Sequence, residues 1–155
     1  MADYDRIEEH LWIGCINTRN DVELLRKLDI EVVISILSPD EKQSHAPNSL
    51  PEEFIEYDIE MADTPQADIF CALSTLIVIL EKEEGKNCLV HCYAGQSRSP
   101  ALVIGYLMYR DQISFTEALF KVKSARSWTN PNRSFLKQLL GDWPQYLFDK
   151  QEDNK

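Results

Sequence analysis

"NCLVHCYAGQSRSPALVIGYLMYR", residues 87–110, is the stretch from which the fold can be read. Residues 87–90, "NCLV", are short and apolar, the mark of a buried strand that ends at His91. Residues 99–110, "SPALVIGYLMYR", are apolar nearly all round, which predicts a central helix buried on every side. Between them runs a turn of only seven residues, Cys92 to Arg98. The helix is expected to start at Ser99, with Pro100 at its first position, where a missing N–H costs nothing. A buried strand feeding a buried helix through a tight loop is the repeating unit of an α/β sheet.

The flanking sequence repeats that alternation. Upstream, "LWIG" (11–14) reads as a strand, "DVELLRKLD" (21–29) as a helix with Val22, Leu25 and Leu28 on one face, and "IEVVISIL" (30–37) as a β-branched strand buried on both sides. "SPDEKQSHAPNSLPEE" (38–53), polar and carrying three prolines, reads as a surface loop. "FIEYDIEM" (54–61) reads as another strand and residues 65–85 as a long helix, with Thr64 and Asp68 competing as its cap and Gly85 as its stop. Downstream, residues 114–126 open with Ser114 and Glu117 at capping-box spacing. Residues 130–148 give a last helix, kinked or ended near Pro144. The expected fold is a single α/β domain over residues 1–148, with a central, mostly parallel, twisted sheet flanked by helices and a short polar tail at 149–155.

The loop carries chemistry as well as topology. The first N–H groups of a helix have no partner inside it, and the helix dipole is positive there. A tight loop leading into that start can turn successive N–H groups inward as a nest for an anion. Gly95 permits the backbone angles such a loop needs. A cation and a helix start also lower the pKa of a thiol, so Cys92 is expected to be a thiolate. Arg98 offers a planar fork matched to phosphate oxygens, and Ser99 either caps the helix or donates to the sulfur. A lone Cys is more often a core residue than a nucleophile. Here strand, glycine, arginine, Ser-Pro and apolar helix all agree on the second.

His91-Cys92-x-x-Gly95-x-Ser97-Arg98-Ser99 resembles the signature of dual-specificity protein phosphatases, within the cysteine-dependent tyrosine phosphatase superfamily. The resemblance extends through "LWIGCINTRND", "YDIEMADTPQADIF" and "ARSWTNPNRSFLKQL", the last with Ser134 where a glycine is common. It implies a tyrosine-phosphatase-like fold and a small, stand-alone, atypical member of the family. Cys92 would attack phosphorus. Arg98 and the N–H groups of Tyr93, Ala94, Gly95, Gln96, Ser97 and Arg98 would bind the equatorial oxygens. Three carboxylates could supply the acid. Asp58 lies within a predicted strand, Asp68 at a helix start, and Asp63 in the connecting loop where an active-site residue belongs. The resemblance also places the acid at Asp63. His91 would orient the loop and its thiolate, and Arg126, Trp128, Asn130 and Arg133 would shape the pocket rim or touch a second phosphate. No metal or cofactor is implied. The expected substrates are phosphotyrosine and phosphoserine or phosphothreonine in proteins. The alternatives are a phosphate-binding module without turnover, and the same chemistry on a lipid, RNA or glycan phosphate.

Composition narrows the partners. The 155-residue chain has a formal net charge of -10 and no visible basic stripe, which argues against nucleic acid. No apolar run approaches the roughly 20 residues that span a bilayer. The acidic start, "MADYDRIEEH", is unlike a secretory signal, and neither end carries a lipidation pattern, so the cytosol, with the nucleus, is the expected location. Cys15, Cys71, Cys88 and Cys92 show no metal-ligand spacing. Cys88 and Cys92, four strand steps or roughly 13 Å apart, are too distant for a disulfide. Cys15, Cys71 and Cys88 are expected to be core or inert thiols.

Overall fold

The computed structural model describes residues 3–145. Five strands form one sheet: β1 (Tyr4–Glu8), β2 (Leu11–Gly14), β3 (Val32–Leu37), β4 (Ile55–Glu60) and β5 (Cys88–His91). Their order is β1-β2-β5-β3-β4. Only the β1–β2 hairpin is antiparallel; the other pairings are parallel. The helices are α1 (Ile16–Asn20), α2 (Val22–Lys27), α3 (Pro39–His45), α4 (Ile69–Lys82), α5 (Arg98–Asp111), α6 (Phe115–Ala125) and α7 (Arg133–Lys137), which runs into a π-helical turn, Gln138–Asp142. Among the described residues, no helix is long and apolar enough to cross a membrane.

The near-continuous apolar runs of β3 and β5 are explained by burial on both faces of the sheet. Val32, Ile34, Ile36, Cys88 and Val90 point into a large core with α4, α5 and α6. Val33 and Leu89 point the other way, into a smaller core with Trp12, Leu25 and Phe54. Residues Arg98–Met108 of α5 are buried at every position, as the all-round apolar sequence requires.

Several local expectations change. The polar start contains β1, which pairs with β2 and buries Ile7. "INTRN" forms α1. The expected loop at 38–53 holds α3, started by a capping box in which Ser38 and Glu41 bond each other's backbone amides, with Pro39 at the first position. α4 is capped by Asp68, which accepts from the Phe70 N–H, so Thr64 and Pro65 stay in the preceding turn. Gly85 does follow α4, at φ +84°. α5 begins at Arg98, one residue early, and Pro100 is its third residue. The break in the closing helix is the π-helical turn, while Pro144 is itself helical. Residues 146–148 of that expected helix and the tail at 149–155 lie outside the described residues.

Parallel pairing places the strand ends that matter side by side. Gly14 of β2 and Ser35 of β3 both stand opposite His91 of the central strand β5. The loop Cys92–Ser97 therefore leaves the middle of the sheet at its carboxyl edge, where open α/β sheets bind ligands.

Candidate active site

The loop is built by tying its carbonyls outward. The Cys92 carbonyl accepts from His91 Nδ1 at 3.1 Å. The Tyr93 carbonyl accepts from the Ile16 N–H, and the Gln96 carbonyl from the Asn130 N–H, both at 2.9 Å. The Gly95 carbonyl accepts from Arg126 Nε at 2.8 Å, and the Ser97 carbonyl from the Ala101 N–H at 3.0 Å. Among the described residues, none of the six amides of Tyr93–Arg98 donates to another protein atom. Carbonyls held on the outside and successive donors left unpaired, at the start of a 14-residue helix, make an anion nest.

Gly95 is required twice. Its φ is +70°, and a Cβ there would stand 2.6 Å from the Gly14 carbonyl oxygen and 2.7 Å from Arg126 Nη2. Gly95→Ala is expected to destabilise the fold by roughly 1–3 kcal/mol, and to dismantle the nest with it. A denaturant midpoint and an aryl phosphate turnover rate both near wild type would contradict this.

Cys92 is 2% exposed, and its Sγ lies 3.2 Å from Ser99 Oγ. Ser99 is in the first turn of α5 and is not its cap, so its hydroxyl is left for the sulfur. When the sulfur is a thiolate, only the hydroxyl can donate. His91 is fully buried, and a carbonyl only accepts, so Nδ1 carries the proton toward Cys92. Nε2 then accepts from Ser35 Oγ at 2.6 Å. Burial pushes this imidazole down to about 4, so it is neutral.

That shift has a sign. Between about pH 6.5 and 4 the unfolded chain binds a proton at this imidazole that the folded chain refuses. Stability is therefore expected to fall as pH drops from 7 to 5, above the range where carboxylates titrate. His10 and His45 are exposed. A flat urea midpoint across that interval would contradict the assignment.

Arg98 is buried at the loop's end. Its Nη1 and Nη2 donate to Glu41 Oε1 and Oε2 at 2.6 and 2.8 Å, and Nη1 also donates to the Met61 carbonyl at 2.9 Å. Burial works against its charge, and Glu41, with Cys92 and Asp63 nearby, outweighs that, so its pKa is raised. The Arg98 guanidinium in turn holds the Glu41 carboxyl down at about 2. Glu41, Ser35 and Asn132, which bonds both Asp63 and Ser97, are residues that sequence reading did not single out.

Of the three candidate acids, only Asp63 reaches the loop. Its Oδ1 accepts from Ser97 Oγ at 2.7 Å and from Asn132 Nδ2 at 2.8 Å. Asp58 pairs with Lys42 on strand β4, and Asp68 caps α4. The rim expectation for Arg126 is corrected. This side chain is 1% exposed and braces the loop from behind, through Gly95, an ion pair with Asp5 and the Trp128 ring 4.0 Å away. Asn130 is exposed and bonds the loop through its backbone N–H. Arg133 is exposed at the start of α7, and Tyr93 stands on the loop with its ring edge-on to His45 at 4.9 Å.

Cys88 is buried, and desolvation pushes its thiol up to about 12, consistent with an inert core residue. Cys15 is also buried, whereas Cys71 is exposed on α4 and so is not a core thiol. All four thiols are free. Among the described residues, no group of three or more His, Cys, Asp or Glu side chains is placed to hold a metal ion.

A parallel α/β sheet whose central strand delivers a cysteine into an amide-lined loop closed by a buried arginine is the architecture of cysteine-dependent phosphatases. Residues 11–142 match the family model "Dual specificity phosphatase, catalytic domain", and the chain belongs to that family. It is 34% identical over 135 residues to mouse dual specificity protein phosphatase 19, covering 86% of this chain and 59% of the mouse protein. It is 28% identical over 142 residues to Arabidopsis thaliana dual specificity protein phosphatase 1B, covering 88% and 80% of the two chains. The chain thus spans well under two thirds of the mouse relative. Among solved structures, it resembles a human tyrosine phosphatase-like serine/threonine/tyrosine-interacting protein (TM-score 0.84, 28% identity, 93% of this chain and 97% of that one). A mouse protein of dual-specificity-phosphatase type, complexed with zinc tungstate, superposes with TM-score 0.82 at 28% identity, over 96% and 91% of the chains.

Proposed function

We propose that this chain is a cysteine-dependent protein phosphatase that hydrolyses phosphotyrosine and phosphoserine or phosphothreonine monoesters. The observation that carries this reading is the run of six unpaired loop amides beside the Cys92 sulfur. A dianionic phosphoryl group fits such a nest, and the tungstate of the mouse relative is an oxyanion of the same kind.

The chemistry runs in two displacements. The Cys92 thiolate forms an S–P bond as the P–O bond to the leaving group breaks, and Asp63 gives its proton to the departing oxygen. The amides of Tyr93–Arg98 and the Arg98 guanidinium hold the three equatorial oxygens, most tightly when charge spreads over them. Asp63, now ionised, takes a proton from water as the water oxygen attacks phosphorus. The S–P bond breaks, phosphate leaves, and the Ser99 hydroxyl donates to the restored thiolate.

Matched phosphotyrosine and phosphothreonine peptides test the substrate class. Phosphate release from both is expected. A phosphoinositide or an RNA 5′-phosphate turned over faster than either peptide would overturn the protein-substrate reading.

A further inference from the structure

The acid loop is fastened to the closing helix by two side-chain amides. Asn132 caps α7, accepting from the Phe135 N–H with Oδ1 at 3.0 Å, while Nδ2 donates to Asp63 Oδ1 and, at 3.4 Å, to the Thr64 carbonyl. Its backbone N–H donates to Ser97 Oγ at 2.9 Å, and the Ser97 hydroxyl in turn donates a hydrogen bond to Asp63 Oδ1. Six residues on, Gln138 donates to the Ala67 carbonyl and accepts from the Ile69 N–H, both at 3.0 Å. The segment from Asp63 to Ile69 is thereby held at both ends.

The donors on Asp63 are not symmetric. Oδ1 receives two hydrogen bonds: the Asn132 amide can only donate, and the Ser97 hydroxyl, which already accepts from the Asn132 backbone N–H, donates its proton here. A proton placed on Oδ1 would have to turn the Ser97 hydroxyl away or displace the Asn132 amide, whereas a proton on Oδ2 leaves both bonds in place. The neutral acid therefore carries its proton on Oδ2, and Oδ2 is the atom left to meet a leaving group.

We propose that Asn132, acting with Ser97, is a positioning residue for general acid catalysis: it assigns the transferable proton to Asp63 Oδ2 and holds that oxygen over the catalytic loop. This rests on Asp63 being the acid, as proposed above. Asn132 touches no reacting atom, so its effect must depend on how much the leaving group needs a proton.

That dependence is the test. The specificity constant kcat/KM, which reports the first displacement and not hydrolysis of the phosphocysteine, is measured for aryl phosphates whose phenols range from strongly acidic nitrophenols to unsubstituted phenol, with wild type, Asp63→Asn, Asn132→Ser and the double variant. Serine keeps a side-chain acceptor at the start of α7 but is too short to reach Asp63, so a thermal melt near wild type is expected. Asn132→Ser should slow phenyl phosphate by roughly ten- to a hundredfold and the most acidic nitrophenyl ester hardly at all. In the Asp63→Asn background it should add nothing. If Asn132→Ser slows all esters equally while Asp63→Asn is selective for poor leaving groups, Asn132 is a structural cap and the inference fails. If Asp63→Asn is itself unselective, the acid assignment fails, and the inference with it.

Discussion

Cys92→Ser is expected to end turnover while leaving the fold and the anion site in place. The substitution changes one buried atom, at the junction of β5 and the loop, and adds no bulk. The carbonyls that shape the nest are held by His91, Ile16, Arg126, Asn130 and Ala101, none of which touches the sulfur through those bonds. Oxyanion binding should survive. The rate should not, because a hydroxyl is far less acidic than a thiol and needs a base to attack. The adjacent imidazole cannot serve. His91 is neutral, but its Nδ1 proton is committed to the Cys92 carbonyl and its Nε2 lone pair to the Ser35 hydroxyl. Loss of a nucleophile with no substitute should cost at least about a thousandfold in kcat. Aryl phosphate turnover and calorimetric titration with tungstate measure the two halves separately. Turnover within tenfold of wild type would remove Cys92 from the chemistry.

The parts of this site that sequence could show are those in which one local segment does everything. Residues 87–110 specify strand, loop and helix by periodicity, and the glycine, the arginine and the cysteine lie within seven residues of one another. Among three candidate acids, a place in a connection and the family resemblance together favour Asp63, and of the three the structure puts only that one against the loop. What stayed hidden is tertiary. Ser35 looks like one polar residue in an apolar strand until parallel pairing sets it opposite His91. Arg126 looks like a surface charge until the loop's Gly95 carbonyl, Asp5 and Trp128 enclose it. The acidic start hides β1 because an edge strand buries little, here Ile7 alone. "SPDE" at 38–41 carries Ser at the cap, Pro at the first position and Glu at the third, the same box that was read at Ser114 and Glu117. Three prolines between 38 and 53 mask that signal in the sequence, and with α3 they hide the place of Glu41.

Glu41 explains why Arg98→Lys, although it keeps the charge, is expected to be nearly as damaging as losing the nucleophile's phosphate clamp altogether. A guanidinium has five N–H donors. Three are spent within the protein: Nη1 on Glu41 and the Met61 carbonyl, Nη2 on Glu41. The two that remain are the Nε–H, which is buried with no partner among the described residues, and the second proton of Nη2. They lie parallel on the same edge, a fork matched to two phosphoryl oxygens. Glu41 thus holds the end of the guanidinium so that its side edge is free. A lysine has one nitrogen, and Glu41 and Met61 would compete for it with the substrate. The expected loss in kcat/KM is about a hundred- to a thousandfold, falling mainly on kcat because the fork binds best in the transition state. The loss should be uniform from pH 5 to 8. The Glu41 carboxyl is held at about 2, so the ion pair's contribution is fully present above the ordinary carboxylate range and fades only as pH falls toward that value. Glu41→Gln keeps one acceptor for the guanidinium and should cost less than Arg98→Lys. If Arg98→Lys retained kcat/KM within tenfold, or if Glu41→Gln proved the more harmful of the two, the side-edge fork would not be the element that binds the phosphoryl group.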